Sequence, residues 1–299
     1  MEKVNYKGLI AAVVTPMDKG GNVKTTLIDA YARFLIRRGV KGVFVCGTTG
    51  ESLLLDTSER KKVAEAWMKF SDELDVFLHI GSTSYVVAKE LAKHASEIGV
   101  DAISAMGPSF LPPRRVNELV EFNQLIARHA PDTPFYYYHI PNVTGVNINM
   151  VDFLKEAGKS IPTQRGLKYT SYNIMEEQEC IRLHDNYFDI LHGHDELFLS
   201  GLTVGATGGI GTSYNLTSPL FDQMIVSFEQ NRVKEAADLQ FEANAFIHLL
   251  LKYENSVVSI KAALNILGVD CGPCRLPLRE LSANEMRSFE GELQEFDWL

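Results

Sequence analysis

Lys168 lies in a short run, Gly166-Leu167-Lys168-Tyr169, in which strand period puts Gly166, Lys168 and Thr170 on one face and Leu167 and Tyr169 on the other. A lysine at the buried end of such a strand loses the water that stabilises its ammonium, and the neutral amine can attack a carbonyl to form an imine. The run Phe135-Tyr136-Tyr137-Tyr138 puts Tyr136 and Tyr138 on a common face, and a phenol at a strand end near an imine can relay protons. Gly47-Thr48-Thr49-Gly50-Glu51 reads as a tight turn whose two hydroxyls and backbone N–H groups are neutral donors suited to a carboxylate. Each signal also has an ordinary reading: a surface lysine, a core aromatic, a polar turn. Together, at the ends of three different strands, they describe one site with an amine, a phenol and a cradle for an anion.

The elements that must position these groups alternate along the chain. Short apolar runs at 8–14, 42–46, 76–80, 102–106, 135–138, 166–169, 190–193 and 208–212 read as strands. Segments of helical period lie between them, at 26–38, 58–70 and 85–98 for example, with Ser58-Glu59-Arg60 as a helix start. Alternation of this kind predicts a parallel sheet with crossover helices, and eight such units predict an α/β fold, a (β/α)8 TIM barrel. A doubly wound sheet would need a Gly-rich phosphate turn after the first strand, and residues 13–21 do not supply one. Residues 232–252, 256–267 and 282–295 have helical spacing, interrupted by Pro273 and Pro277. The expected organisation is one domain, with a barrel over 1–229 and a C-terminal helical extension over 230–299 packed on it.

Composition narrows the function classes. The 299 residues are 45% hydrophobic and 22% charged, the balance of a chain with a sizeable core. A net charge of -9 with scattered basic residues predicts no nucleic-acid partner, and an anionic substrate must then be caught by local donors. No apolar run is long enough for a bilayer, and the one near the N-terminus lacks a small-residue cleavage site, so a cytoplasmic protein is expected. Four cysteines are too few and too dispersed for a disulfide framework. Cys271-Gly-Pro-Cys274 lacks the second ligand pair that zinc needs, so two reduced thiols and no metal are expected there.

Taken in order, Gly47-Thr48-Thr49-Gly50-Glu51, Tyr138-His139-Ile140-Pro141 with Thr144-Gly145, Gly166-Leu167-Lys168 and the Gly-rich segment 205–215 resemble the dihydrodipicolinate synthase and N-acetylneuraminate lyase family over almost the whole chain. The resemblance implies a homotetramer without cofactor or metal, Lys168 as the Schiff-base residue, Tyr138 as the proton carrier, and Gly47, Thr48 and Thr49 around the pyruvate carboxylate. Val143 stands where the synthases carry an arginine for their second substrate, which points to the lyase branch. Gly193-His194-Asp195-Glu196 resembles the lyase segment that holds sugar hydroxyls, Gly211 and Thr212 its companion loop, and Thr170 a residue facing the sugar. Asp195 and Glu196 also suit a helix start, where acids are favoured.

On this resemblance the expected reaction is reversible cleavage of N-acetylneuraminate, a sialic acid, to pyruvate and N-acetylmannosamine. The competing readings are a pyruvate-dependent aldolase acting on a 2-keto-3-deoxy sugar acid, and a silent barrel that only binds a keto acid. Two positions depart from the common pattern: Phe110 replaces a tyrosine that some members lend between subunits, and Thr48 stands where many bacterial lyases have serine. With Tyr136-Tyr137-Tyr138-His139-Ile140-Pro141 and Arg275-Leu276-Pro277-Leu278, the chain looks most like the animal-type lyases. Pyruvate chemistry and sugar recognition, carried on different strands, are expected to be separable by mutation.

Overall fold

The fold is that of a computed structural model, which describes residues 6–253 and 255–299. Eight strands among the described residues follow one another in chain order and close as a barrel. They are β1 (Gly8–Ala12), β2 (Gly42–Val45), β3 (Asp75–His79), β4 (Ala102–Met106), β5 (Phe135–His139), β6 (Gln164–Tyr169), β7 (Asp189–His192) and β8 (Gly208–Gly211). The crossovers carry α1 (Ile28–Arg37), α2 (Thr57–Trp67), α3 (Tyr85–Ile98), α4 (Val116–Ala127), the single turn α5 (Pro141–Thr144), α6 (Met150–Ser160), α7 (Ile174–Arg182) and α8 (Phe198–Val204). After β8 come α9 (Tyr214–Glu229), α10 (Val233–Lys252), α11 (Ser256–Ile266) and α12 (Ala283–Leu293). This is the (β/α)8 barrel with C-terminal helices that the alternating pattern predicts.

By contact, the described residues fall into two compact units. One holds the residues up to Gly8 with Asp75–Ile210, and the other Leu9–Leu74 with Gly211–Leu299. In the first, β3 to β8 pair in parallel, and β5 and β6 form the ladder that aligns Tyr138 with Lys168. The register of β6 slips by one residue between Phe135 and Tyr136. Gly166 permits the closest approach: a Cβ there would stand 1.7 Å from the carbonyl oxygen of Asp189 on β7. In the second unit β1 pairs with β2, α10 packs on α9, and α11 meets α12.

Helix starts follow local chemistry. Asp56 caps α2: its side chain accepts from the Glu59 N–H, and the Glu59 carboxylate accepts from the Asp56 N–H. The helix therefore starts at Thr57, one residue before Ser58, because an aspartate with a glutamate three positions on closes both donors. Ser282 and Glu285 form the same reciprocal cap on α12, and α3 ends on Gly99 in the left-handed conformation.

Candidate active site

In the first unit the two faces of β5 and β6 divide the labour. Tyr137 packs against Phe153 of α6 at 4.8 Å, and the Tyr169 hydroxyl donates to Glu176 of α7 at 2.7 Å. Those side chains bind the sheet to its helices, so Tyr138 and Lys168 turn to the opposite face. Both are buried, 3% and 4% exposed, and the Lys168 Nζ stands 4.2 Å from the centroid of the Tyr138 ring. The nitrogen lies over the electron-rich face of the phenol ring. His79 of β3 meets the same ring edge-on at 5.8 Å, a neighbour that the spacing arguments missed because nothing around it in sequence marks it.

Lower on the same face, the Tyr136 hydroxyl donates 2.8 Å to Asp189, which also accepts from the Tyr6 N–H at 3.1 Å. Burial pushes the Asp189 carboxyl up, and those two donors oppose the shift. Tyr136 is thus committed to a carboxylate at the start of β7, leaving Tyr138 as the phenol beside the amine.

Thr170 follows β6, buried, with no hydrogen-bond partner for its hydroxyl. Gly193, directly after β7, makes room for it: a Cβ there would come within 2.1 Å of the Thr170 Oγ1. Next come Asp195 and Glu196 in a short 3-10 turn. His194 holds the N-cap position without a side-chain cap bond of its own, and both acids stand in the first turn, where negative charge is favoured. Asp195 is buried. The Glu196 carboxylate lies 3.0 Å from the His194 Nδ1 and accepts from the Tyr172 hydroxyl at 3.2 Å, and Tyr172 stacks on His194 at 4.3 Å. Burial pushes the Glu196 carboxyl up, but the bonds from His194, its own backbone and Tyr172 outweigh it and hold the group below its ordinary range. Tyr172 and His194 are further residues that sequence reasoning left unassigned, although they adjoin Thr170 and Asp195.

In the second unit, Gly47-Thr48-Thr49-Gly50-Glu51 forms a turn directly after β2. The Glu51 N–H donates to the Thr48 carbonyl at 3.0 Å, and the Thr15 hydroxyl holds the Gly50 carbonyl at 2.7 Å. Thr48 is exposed and Thr49 buried. Gly211 ends β8, and the Thr212 hydroxyl beyond it lies 2.7 Å from that of Thr49. Asn215 fixes this loop by donating to the carbonyls of Ala12 and Thr212, both at 2.8 Å, and by accepting from the Tyr31 hydroxyl. The expected anion cradle and the expected sugar loop therefore touch within this unit, through two hydroxyls.

All four cysteines are free and buried. No group of three or more His, Cys, Asp or Glu side chains suited to a metal ion stands among the described residues.

Compared with known proteins, the chain matches the model of the dihydrodipicolinate synthetase family over residues 5–296. N-acetylneuraminate lyase of Homo sapiens is 40% identical over 302 residues, covering 99% of this chain and 94% of the human protein. Among solved structures, the N-acetylneuraminate lyase of Proteus mirabilis superposes with a TM-score of 0.95 at 38% identity, covering 99% of this chain and 100% of that one. The sialic acid aldolase of Aliivibrio salmonicida gives 0.95 and 38%, covering 99% and 98%.

Proposed function

Since the chain belongs to the dihydrodipicolinate synthetase family, we propose that it is a Schiff-base lyase that reversibly cleaves N-acetylneuraminate to pyruvate and N-acetylmannosamine. The observation that carries this reading is the buried amine of Lys168 against the ring of Tyr138. In the cleavage direction the amine attacks the keto carbon of the open-chain sugar acid, water leaves, and an imine forms. The carbon-carbon bond then breaks with its electrons drawn into the protonated imine, and a proton leaves the hydroxyl that becomes the aldehyde. Tyr138 takes and returns protons in these steps. Protonation of the resulting enamine and hydrolysis of the imine release pyruvate and restore the amine.

Gly47, Thr48 and Thr49 hold the carboxylate in this scheme. Thr170, with its partnerless buried hydroxyl, Gly193, Asp195, Glu196, Gly211 and Thr212 receive the polyol. Carboxylates and hydroxyls suit a substrate rich in hydroxyl groups. Val143, 53% exposed in α5, offers no guanidinium to a second carboxylate, which separates this chain from a synthase. The barrel over 1–229 carries the chemistry, and the helices over 230–299 brace it.

On the same reading the enzyme works in the cytoplasm as a homotetramer. No helix among the described residues is long and apolar enough to cross a membrane. Phe110 and Leu111, 77% and 81% exposed, give a second copy an apolar surface to cover. The test is release of pyruvate from N-acetylneuraminate, with borohydride trapping of pyruvate on Lys168. Condensation of pyruvate with aspartate semialdehyde but no action on the sialic acid would overturn the lyase reading and leave the imine chemistry standing.

A further inference from the structure

The turn proposed to receive the carboxylate is held by a buried charge from a remote part of the chain. Glu51, the last residue of Gly47-Thr48-Thr49-Gly50-Glu51, has left-handed backbone angles, φ 56° and ψ 30°. A non-glycine residue pays for that conformation and keeps it only where its surroundings hold it. Here the hold is electrostatic. The Glu51 carboxylate accepts from the Lys261 Nζ at 2.6 Å and from the Arg275 N–H at 2.7 Å. Lys261, in the middle of α11, also donates to the Pro273 carbonyl at 2.8 Å. The lysine and glutamate side chains are 2% and 0% exposed.

A second clamp lies beside the first. The Arg275 guanidinium forms a two-pronged pair with Glu59 in the first turn of α2, at 2.7 Å on each prong, and donates to the carbonyls of Leu54 and Gly21. The segment from Gly47 to the start of α2 is thus tied down at its end and at its middle.

An ion pair wholly withdrawn from water gives up the hydration of both charges, and apolar residues of the same volume often serve stability as well. Its presence beside a strained residue of a binding turn therefore points to placement rather than to stability. We propose that Lys261 is a positioning residue for substrate binding. By pairing with Glu51 it sets the Thr48-Thr49 turn in the shape that accepts a carboxylate, a role that rests on the pyruvate reading above. Without the pair, the left-handed Glu51 relaxes, its N–H leaves the Thr48 carbonyl, and the two threonine hydroxyls shift from the places where an anion meets them.

The test compares borohydride trapping of pyruvate and of methyl pyruvate, which keeps the ketone and lacks the anionic carboxylate. Lys261→Met alone strands a buried carboxylate, so the informative variants are Glu51→Gln, which keeps size and hydrogen bonding, and the double variant Glu51→Gln/Lys261→Met, which removes both charges. With parent protein both ketones should label Lys168. In the double variant the half-saturating pyruvate concentration should rise by about tenfold relative to that of the ester, the weight of one or two hydrogen bonds. Glu51→Gln should give the same split at roughly threefold, and it decides the matter if the double variant does not fold. Pyruvate and ester moving together in a folded variant, or neither moving, would overturn the positioning role. A parent protein that takes no label on Lys168 from either ketone overturns the pyruvate reading itself, and the role with it.

Discussion

Two tyrosines of one strand face the same way and meet different fates, and the difference sets what each can do. Tyr136 donates a hydrogen bond to Asp189, and burial together with that carboxylate raises its phenol well above the ordinary range. Tyr138 lies under the Lys168 amine instead. Tyr138→Phe should therefore leave pyruvate trapping on Lys168 in place while cleavage of N-acetylneuraminate falls by roughly 10²–10⁴-fold, the loss usual for an acid-base group. A kcat equal to the parent's would refute its role. A similar division applies to the sugar side. Asp195→Asn should still trap pyruvate and should lose about 10- to 10²-fold in cleavage, since an amide cannot match charge-assisted bonds to sugar hydroxyls. Thr212→Val should behave differently. Its hydroxyl lies against that of Thr49, so its removal should weaken pyruvate trapping as well as cleavage, by about three- to tenfold. Trapping by that variant at the parent's level would show that the Thr49-Thr212 contact does not orient the cradle. Those outcomes together would restrict the expected separation of pyruvate and sugar residues to Asp195 and tie Thr212 to the cradle.

At the scale of elements, β5 also carries a pH dependence. His139 turns toward the helices among the rings of Tyr137 and Tyr169, and burial lowers its pKa from 6.5 to about 4. Between those values the unfolded chain takes up a proton that the folded chain refuses, so acid favours unfolding. The share is fully present above about 6.5 and is lost as pH falls toward 4. His139→Phe, which keeps a ring in the site, should lose about 2 kcal/mol less stability than the parent between pH 7 and pH 5. Urea titrations at the two pH values measure it, and parallel losses would refute the assignment. The strands were legible because apolar runs closed by Gly, Pro or Thr have few other readings, and Lys168 and Tyr138 were legible because strand period sorts faces. The start of α2 falls one residue before the expected Ser58, since serine and aspartate are both good caps and only the reciprocal bonds of Asp56 and Glu59 decide between them. The Glu51–Lys261 pair spans 210 positions, and no local pattern announces it. Its one trace is a lysine in the apolar run Val257 to Leu264, where a solvated charge has no place.

For the whole molecule, light scattering at micromolar concentration should give four times the mass of the chain, because closed symmetry is the usual way to cover apolar surface such as Phe110 and Leu111. A monomer would contradict the tetramer. Phe110 carries no hydroxyl, so it adds apolar area to such a contact and no proton donor. The buried cysteines give the same molecule a clock. Burial pushes the thiol of Cys46 up to about 11 and those of Cys271 and Cys274 up to about 12, and it raises Cys180 as well. At neutral pH almost none of them is thiolate, the form that reacts with alkylating reagents. Alkylation must then wait for the chain to open, and the four thiols time three openings: Cys46 the release of the turn beside Thr48, Cys180 the lifting of α7, Cys271 and Cys274 together the detachment of the segment that anchors Glu51.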